Sequence, residues 1–251
     1  MKPTFLTYDK PLLTTMIQKR TPQEILDTIP LAIAAGTDAF AIQIDQLKPE
    51  YHQISVYREL FEAMEGRPSY VTYYRGHQNG DKSDEELAEG LLRLAEAGAT
   101  LCDVMGDMFC RHPDELTVDE AAVARQMKLI DELHTQGAEV LMSSHLYKYA
   151  PADRILEIAA AQRARGADVI KIVTDARNAA EEIEHLATLE RMKRELDRPF
   201  LFLSGGHCHI MRRIGILMGC CMCLCVYEHD ALSTRSQPLL CKVKAIRDNF
   251  D

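Results

Sequence analysis

Apolar and polar positions along this chain switch repeatedly between two periods. Short runs rich in Val, Ile, Leu and Phe, such as VIKIV and FLFL, alternate with longer stretches whose apolar residues recur at helical spacing. The alternation occurs eight times and predicts strands over residues 12–17, 39–45, 70–75, 101–105, 140–145, 169–174, 200–204 and 221–227. Helical patterns lie between them, among them TPQEILDTIPLAIAAG, SDEELAEGLLRLAEAG, TVDEAAVARQMKLIDELHTQG and APADRILEIAAAQRARG. Thr21, Ser83 and Thr117 are the expected N-caps, and Gly36, Gly98, Gly137 and Gly166 the expected helix stops. Strand followed by helix at this spacing implies parallel strands joined by right-handed crossovers. Strands covered on their outer face read as continuous apolar runs, as here. Eight such units close into a barrel, so the expected fold is α/β, a single (β/α)8 TIM barrel spanning residues 1–251. A doubly wound sheet is the alternative, but no GxGxxG follows any strand.

Composition narrows the partners. A net charge of −9, with lysines and arginines interleaved among acids, leaves no basic stripe for nucleic acid. No window approaches the roughly 20 apolar residues of a membrane span, and the start, MKPTFLTYDKPLL, does not read as a signal peptide. A cytoplasmic location is therefore expected, and a homodimer is among the assemblies the sequence allows. Of the eight cysteines, most crowd into Cys208 and Cys220–Cys225, whereas a disulfide framework would spread them out. They read as small buried hydrophobes.

The candidate chemistry begins with Lys171, in GADVIKIVTD. A lysine among Val169, Ile170, Ile172 and Val173 is costly to bury as an ammonium unless paired. As a neutral amine it is a nucleophile that condenses with a ketone, and the iminium so formed acidifies the adjacent carbon. A snorkelling or edge-strand lysine is the plainer explanation. His145 ends the preceding strand, and strands in a barrel lie about 4.8 Å apart, so its imidazole can share a mouth with Lys171 and shuttle a proton. Such an elimination needs no metal and no organic cofactor.

The combination of SSH (143–145), Pro151 opening a helix, GADVIK (166–171), RRIGILMGC (212–220) and STRSQ (233–237) resembles type I 3-dehydroquinate dehydratase. That family carries SxH on strand five, GADxxK on strand six, SRxxGxxxGS after strand seven and SAPGQ after strand eight. The resemblance implies a hydro-lyase of the shikimate pathway of aromatic amino acid biosynthesis, converting 3-dehydroquinate to 3-dehydroshikimate. It assigns Lys171 the Schiff base and His145 the general base and acid. It places Arg212, Ser233 and Gln237 against the substrate carboxylate and nearby oxygens, and Arg75 at the end of strand three.

The departures concern recognition. The family's ExRxD on strand two is here Ala41-Ile42-Gln43-Ile44-Asp45, with Gln43 at the arginine position. Asn79 stands where the family's glutamate hydrogen-bonds the histidine, and an Asn orients without supplying charge. Strand four keeps Asp103 but has Met105 in place of a following acid, and STRSQ adds Arg235 to the loop over the mouth. A small-molecule carboxylated ketone is the expected partner. The alternatives are a lyase for another carboxylated β-hydroxy ketone, a deoxyribose-phosphate aldolase-like enzyme using Gly205-Gly206 for phosphate, and a non-catalytic binding barrel. Gly205-Gly206-His207-Cys208-His209 with the later cysteines invites a zinc reading, but Cys221, Cys223 and Cys225 share one strand face and make a poor tetrahedron. His112, Asp114 and Glu115, on the loop after strand four, read as solvated.

Overall fold

The computed structural model describes residues 3–250. Eight strands alternate with eight α-helices: β1 (Leu12–Ile17), α1 (Pro22–Ala34), β2 (Ala39–Gln43), α2 (Ile54–Glu62), β3 (Ser69–Thr72), α3 (Asp84–Ala97), β4 (Leu101–Met105), α4 (Glu120–Thr135), β5 (Glu139–His145), α5 (Ala152–Ala164), β6 (Val169–Ala176), α6 (Ala179–Glu195), β7 (Phe200–Gly206), α7 (Met211–Ile214), β8 (Met222–Cys225) and α8 (Leu240–Arg247). All paired strands are parallel, in the order β7-β6-β5-β4-β3-β2-β1-β8. The gap between β7 and β8 is bridged by Cys221 N donating to Phe200 O at 2.9 Å. This is the single (β/α)8 barrel that the pattern implied.

Local sequence chemistry sets many of the boundaries. Thr21 and Ser83 open α1 and α3 through reciprocal capping boxes with Glu24 and Glu86, each worth about 1 kcal/mol. Gly98 stops α3 at φ +108°, which only a residue without Cβ adopts freely. Thr117 does not cap α4. Asp119 does, accepting from Ala122 N at 2.8 Å, while the Thr117 hydroxyl accepts from Asp119 N two residues later.

Three strands are shorter than their apolar runs. β2 ends at Gln43 because the Asp45 carboxylate draws the chain aside, accepting from Thr72 Oγ1 (2.7 Å) and Tyr74 N (3.3 Å). The same bonds take β3 out of the ladder after Thr72. β8 stops at Cys225 because Val226 turns to the segment before α8, donating to Pro238 O and accepting from Leu240 N. Hydrogen bonds to segments outside the strand itself decide these ends, and period-two patterning is blind to them.

The buried thiols pack within this frame. Cys220, Cys223 and Cys225 donate to the carbonyls of Phe202, Arg212 and Thr14, and burial pushes all three thiols up. Among the described residues no group of three or more His, Cys, Asp or Glu side chains is arranged to hold a metal. Gly205 and Gly206 extend β7 along β6. A Cβ on Gly205 would lie 2.3 Å from Asp175 Oδ1, so these glycines admit a carboxylate and a neighbouring strand, surroundings unfavourable to a phosphate.

Candidate active site

Lys171 lies mid-β6, level with Ser143 of β5, and its side chain crosses the barrel interior towards β3 and β4. The residue is 4% exposed. Its Nζ donates to Tyr74 Oη at 2.7 Å, Tyr70 Oη at 2.9 Å and Asp103 Oδ2 at 3.1 Å. Both phenols donate in turn to Asp103 Oδ2. Three donors thus converge on one carboxylate oxygen, while Oδ1 is buried without a partner among the described residues. Burial, with the Asp103 charge beside them, holds both phenols well above their ordinary range. The lysine that looked isolated in an apolar strand is therefore paired. The pairing makes its burial affordable, because a lone buried ion costs several kcal/mol.

His145 ends β5. Its Nδ1 is 2.9 Å from Glu115 Oε2, and its backbone N donates to the same oxygen at 2.9 Å. With a carboxylate on Nδ1, that nitrogen carries the proton and Nε2 is left for chemistry. Glu115 belongs to the loop between β4 and α4, which is anchored from within. The buried Arg165 guanidinium donates to Gly106 O (2.9 Å), Gln126 Oε1 (2.9 Å) and Thr117 O (2.5 Å), and Ser144 Oγ donates to Glu115 O (2.8 Å). The solvated-loop reading of Glu115 is thereby corrected, and so is the assignment of the histidine's partner to Asn79. Asn79 is buried, with Nδ2 donating to Tyr74 O at 3.2 Å, and does not face the cavity.

Tyr74 stands between the lysine and the histidine. Its ring centroid is 5.6 Å from that of His145, edge to face, and 5.3 Å from Lys171 Nζ. All three line one cavity of about 670 Å3 at the carboxyl ends of the strands, the end at which barrel enzymes do their chemistry.

Arg212, Gln237, Gln43 and Arg75 also line that cavity. Arg212 follows β7 on the short helix α7. Burial pushes its guanidinium below the ordinary arginine value, and its Nε has no hydrogen-bond partner among the described residues. Gln237 is buried with Oε1 likewise unpartnered. Arg75 is engaged instead by Asp84 (2.6 Å) and Asp107 (2.6 Å), which tie the end of β3 to the start of α3 and to the end of β4. Gln43 Oε1 accepts from Gln18 Nε2, whose amide also contacts Thr234 Oγ1 at 3.2 Å. Ser233 is not in the cavity. Its hydroxyl accepts from Asp230 N at 2.8 Å, closing a turn that Asp230 shares with Lys19. Sequence reasoning missed Tyr70, Tyr74 and Glu115. The i, i+4 spacing of the two tyrosines within the run expected as a strand over 70–75, which would put both on one face, was a usable signal. Glu115 offered none.

The chain belongs to the type I 3-dehydroquinase family, whose profile matches residues 14–248. That membership places it among hydro-lyases. It is 26% identical over 209 residues to the 3-dehydroquinate dehydratase of Klebsiella pneumoniae, covering 81% of this chain and 79% of that protein. The barrel superposes on 3-dehydroquinate dehydratase from Geobacillus kaustophilus with a TM-score of 0.82 at 16% identity, over 98% of this chain and 93% of that one. The Enterococcus faecalis enzyme gives 0.76 at 17% identity, over 99% of each chain.

Proposed function

We propose that this protein dehydrates 3-dehydroquinate through an imine on Lys171, with His145 as general base and acid. The observation that carries the reading is the convergence of Lys171, His145 and an uncompensated Arg212 on one cavity, each at a position the family's motifs occupy. Lys171 Nζ attacks the ketone carbon, and loss of water gives the iminium. The electron-poor iminium makes a proton on the adjacent carbon removable, and His145 Nε2 takes it. The enamine electrons then expel the β-hydroxyl, which leaves as water carrying the proton from His145. Hydrolysis frees the conjugated enone and restores the lysine. Glu115 holds Nδ1–H so that the imidazole presents Nε2 throughout, and Arg212 supplies the charge that a substrate carboxylate would meet.

A second reading, a different carboxylated β-hydroxy ketone, is favoured by one feature. Neutral amides of Gln18, Gln43 and Gln46 line the wall where the family carries a charged pair. Both readings are tested by incubating the protein with 3-dehydroquinate, following enone absorbance, reducing with borohydride and weighing the intact chain. Turnover with a Lys171 adduct supports the first. An adduct formed only with other ketones supports the second. Absence of any adduct overturns both.

A further inference from the structure

We propose that the Tyr74 hydroxyl is a catalytic acid and base for making and breaking the imine on Lys171, working with the Asp103 carboxylate. The inference rests on the Schiff-base reading and adds to it a second proton-handling group, separate from His145.

Forming an imine moves protons at nitrogen and oxygen, and the 4% exposed Lys171 needs a group beside it to carry them. The ammonium must lose two protons, the carbonyl oxygen must gain two, and that oxygen then departs as water. His145, with its Nδ1 committed to Glu115, offers one nitrogen, Nε2, which already serves the adjacent carbon. Tyr74 Oη lies 2.7 Å from Nζ, donates to Asp103 Oδ2 and faces the cavity. Tyr70 makes the same two contacts but is fully buried and does not reach the cavity.

The steps balance. Lys171 ammonium gives a proton to Asp103 Oδ2, 3.1 Å away and the same oxygen that Tyr74 Oη contacts. The amine lone pair forms the C–N bond as the carbonyl π pair moves to oxygen. Tyr74 relays the nitrogen proton to that oxygen, giving the neutral carbinolamine. The proton stored on Asp103 then passes through Tyr74 to the hydroxyl. The C–O bond breaks with loss of water, and the nitrogen lone pair closes the iminium. Asp103 ends as a carboxylate and Tyr74 as a phenol. Burial keeps the Tyr74 phenol protonated between these transfers.

The test is time-resolved borohydride trapping of 3-dehydroquinate on wild type, Tyr74→Phe and Tyr70→Phe, each first checked for its thermal midpoint. A general acid–base group is worth roughly 10²-fold or more. Tyr74→Phe is therefore expected to slow adduct formation by about that factor, while Tyr70→Phe slows it by about tenfold less. With imine formation limiting in Tyr74→Phe, the primary deuterium isotope effect at the adjacent carbon collapses towards unity. Trapping by Tyr74→Phe at the wild-type rate, or equal slowing in both variants, overturns the role of Tyr74 and leaves the Schiff base standing. No Lys171 adduct on wild type with 3-dehydroquinate or any other ketone overturns both.

Discussion

One carboxylate oxygen, Glu115 Oε2, lies 2.9 Å from both the Nδ1 and the backbone nitrogen of His145. It fixes the ring and the end of β5 together. Replacing Glu115 by Gln keeps an acceptor for both donors but removes the charge. Replacing it by Ala removes both. We expect Glu115→Ala to lower kcat by on the order of 10²-fold with little change in KM, and Glu115→Gln to retain part of the lost activity. Steady-state kinetics on the three proteins checks this. An alanine variant with wild-type kcat would refute the positioning role.

Gly106 offers a second, indirect way to the same histidine. A Cβ there would lie 2.5 Å from Glu115 O and 3.0 Å from both Ser143 O and Ser144 Oγ. Gly106→Ala should therefore displace the loop that carries Glu115, costing about 1–3 kcal/mol of stability and reducing kcat while the barrel stays folded. Urea unfolding alongside kinetics separates the two effects. Unaltered kcat in a destabilised variant would mean that the loop gives way elsewhere.

Arg212 is half-buried, and its buried Nε lacks a partner among the described residues. A substrate carboxylate would complete it, and truncating one side of such a buried pair costs about 2–5 kcal/mol. Arg212→Ala should raise KM by at least about tenfold, with a smaller effect on kcat. Arg212→Lys should recover only part, because an ammonium cannot present the planar fork. Equal KM values in all three proteins would place the carboxylate elsewhere.

Asp45 supplies a pH-dependent term. Burial pushes its carboxyl above the ordinary range, outweighing the hydrogen bonds from Thr72 and Tyr74 N. The native state then binds that proton more tightly than the unfolded chain. The stabilisation is full below the unfolded value and is lost as pH rises through the folded one. Asp45→Asn, whose amide oxygen can accept the same two bonds, should lack this slope. Its unfolding free energy should gain on wild type between pH 4 and pH 7. A constant difference across that range would show that Asp45 titrates normally.

Much of this protein was legible in one dimension. The eight strand–helix repeats, the capping boxes at Thr21 and Ser83 and the stop at Gly98 are consequences of local chemistry, so period and residue type reveal them. Lys171 and His145 stood out because a charged residue in an apolar strand, and a histidine at the end of the strand before it, are visible anomalies.

What the fold alone decided lies between distant segments. Asn79 and Ser233, assigned by motif position, turn to Tyr74 O and to the Asp230 turn, because each side chain answers to its spatial neighbours. Tyr74 and Asp103 meet Lys171 across the barrel interior, and Glu115 reaches His145 from another loop. Strand periodicity fixes which face a residue occupies. Only closure of the sheet brings residues dozens of positions apart within the 3 Å at which hydrogen bonds act.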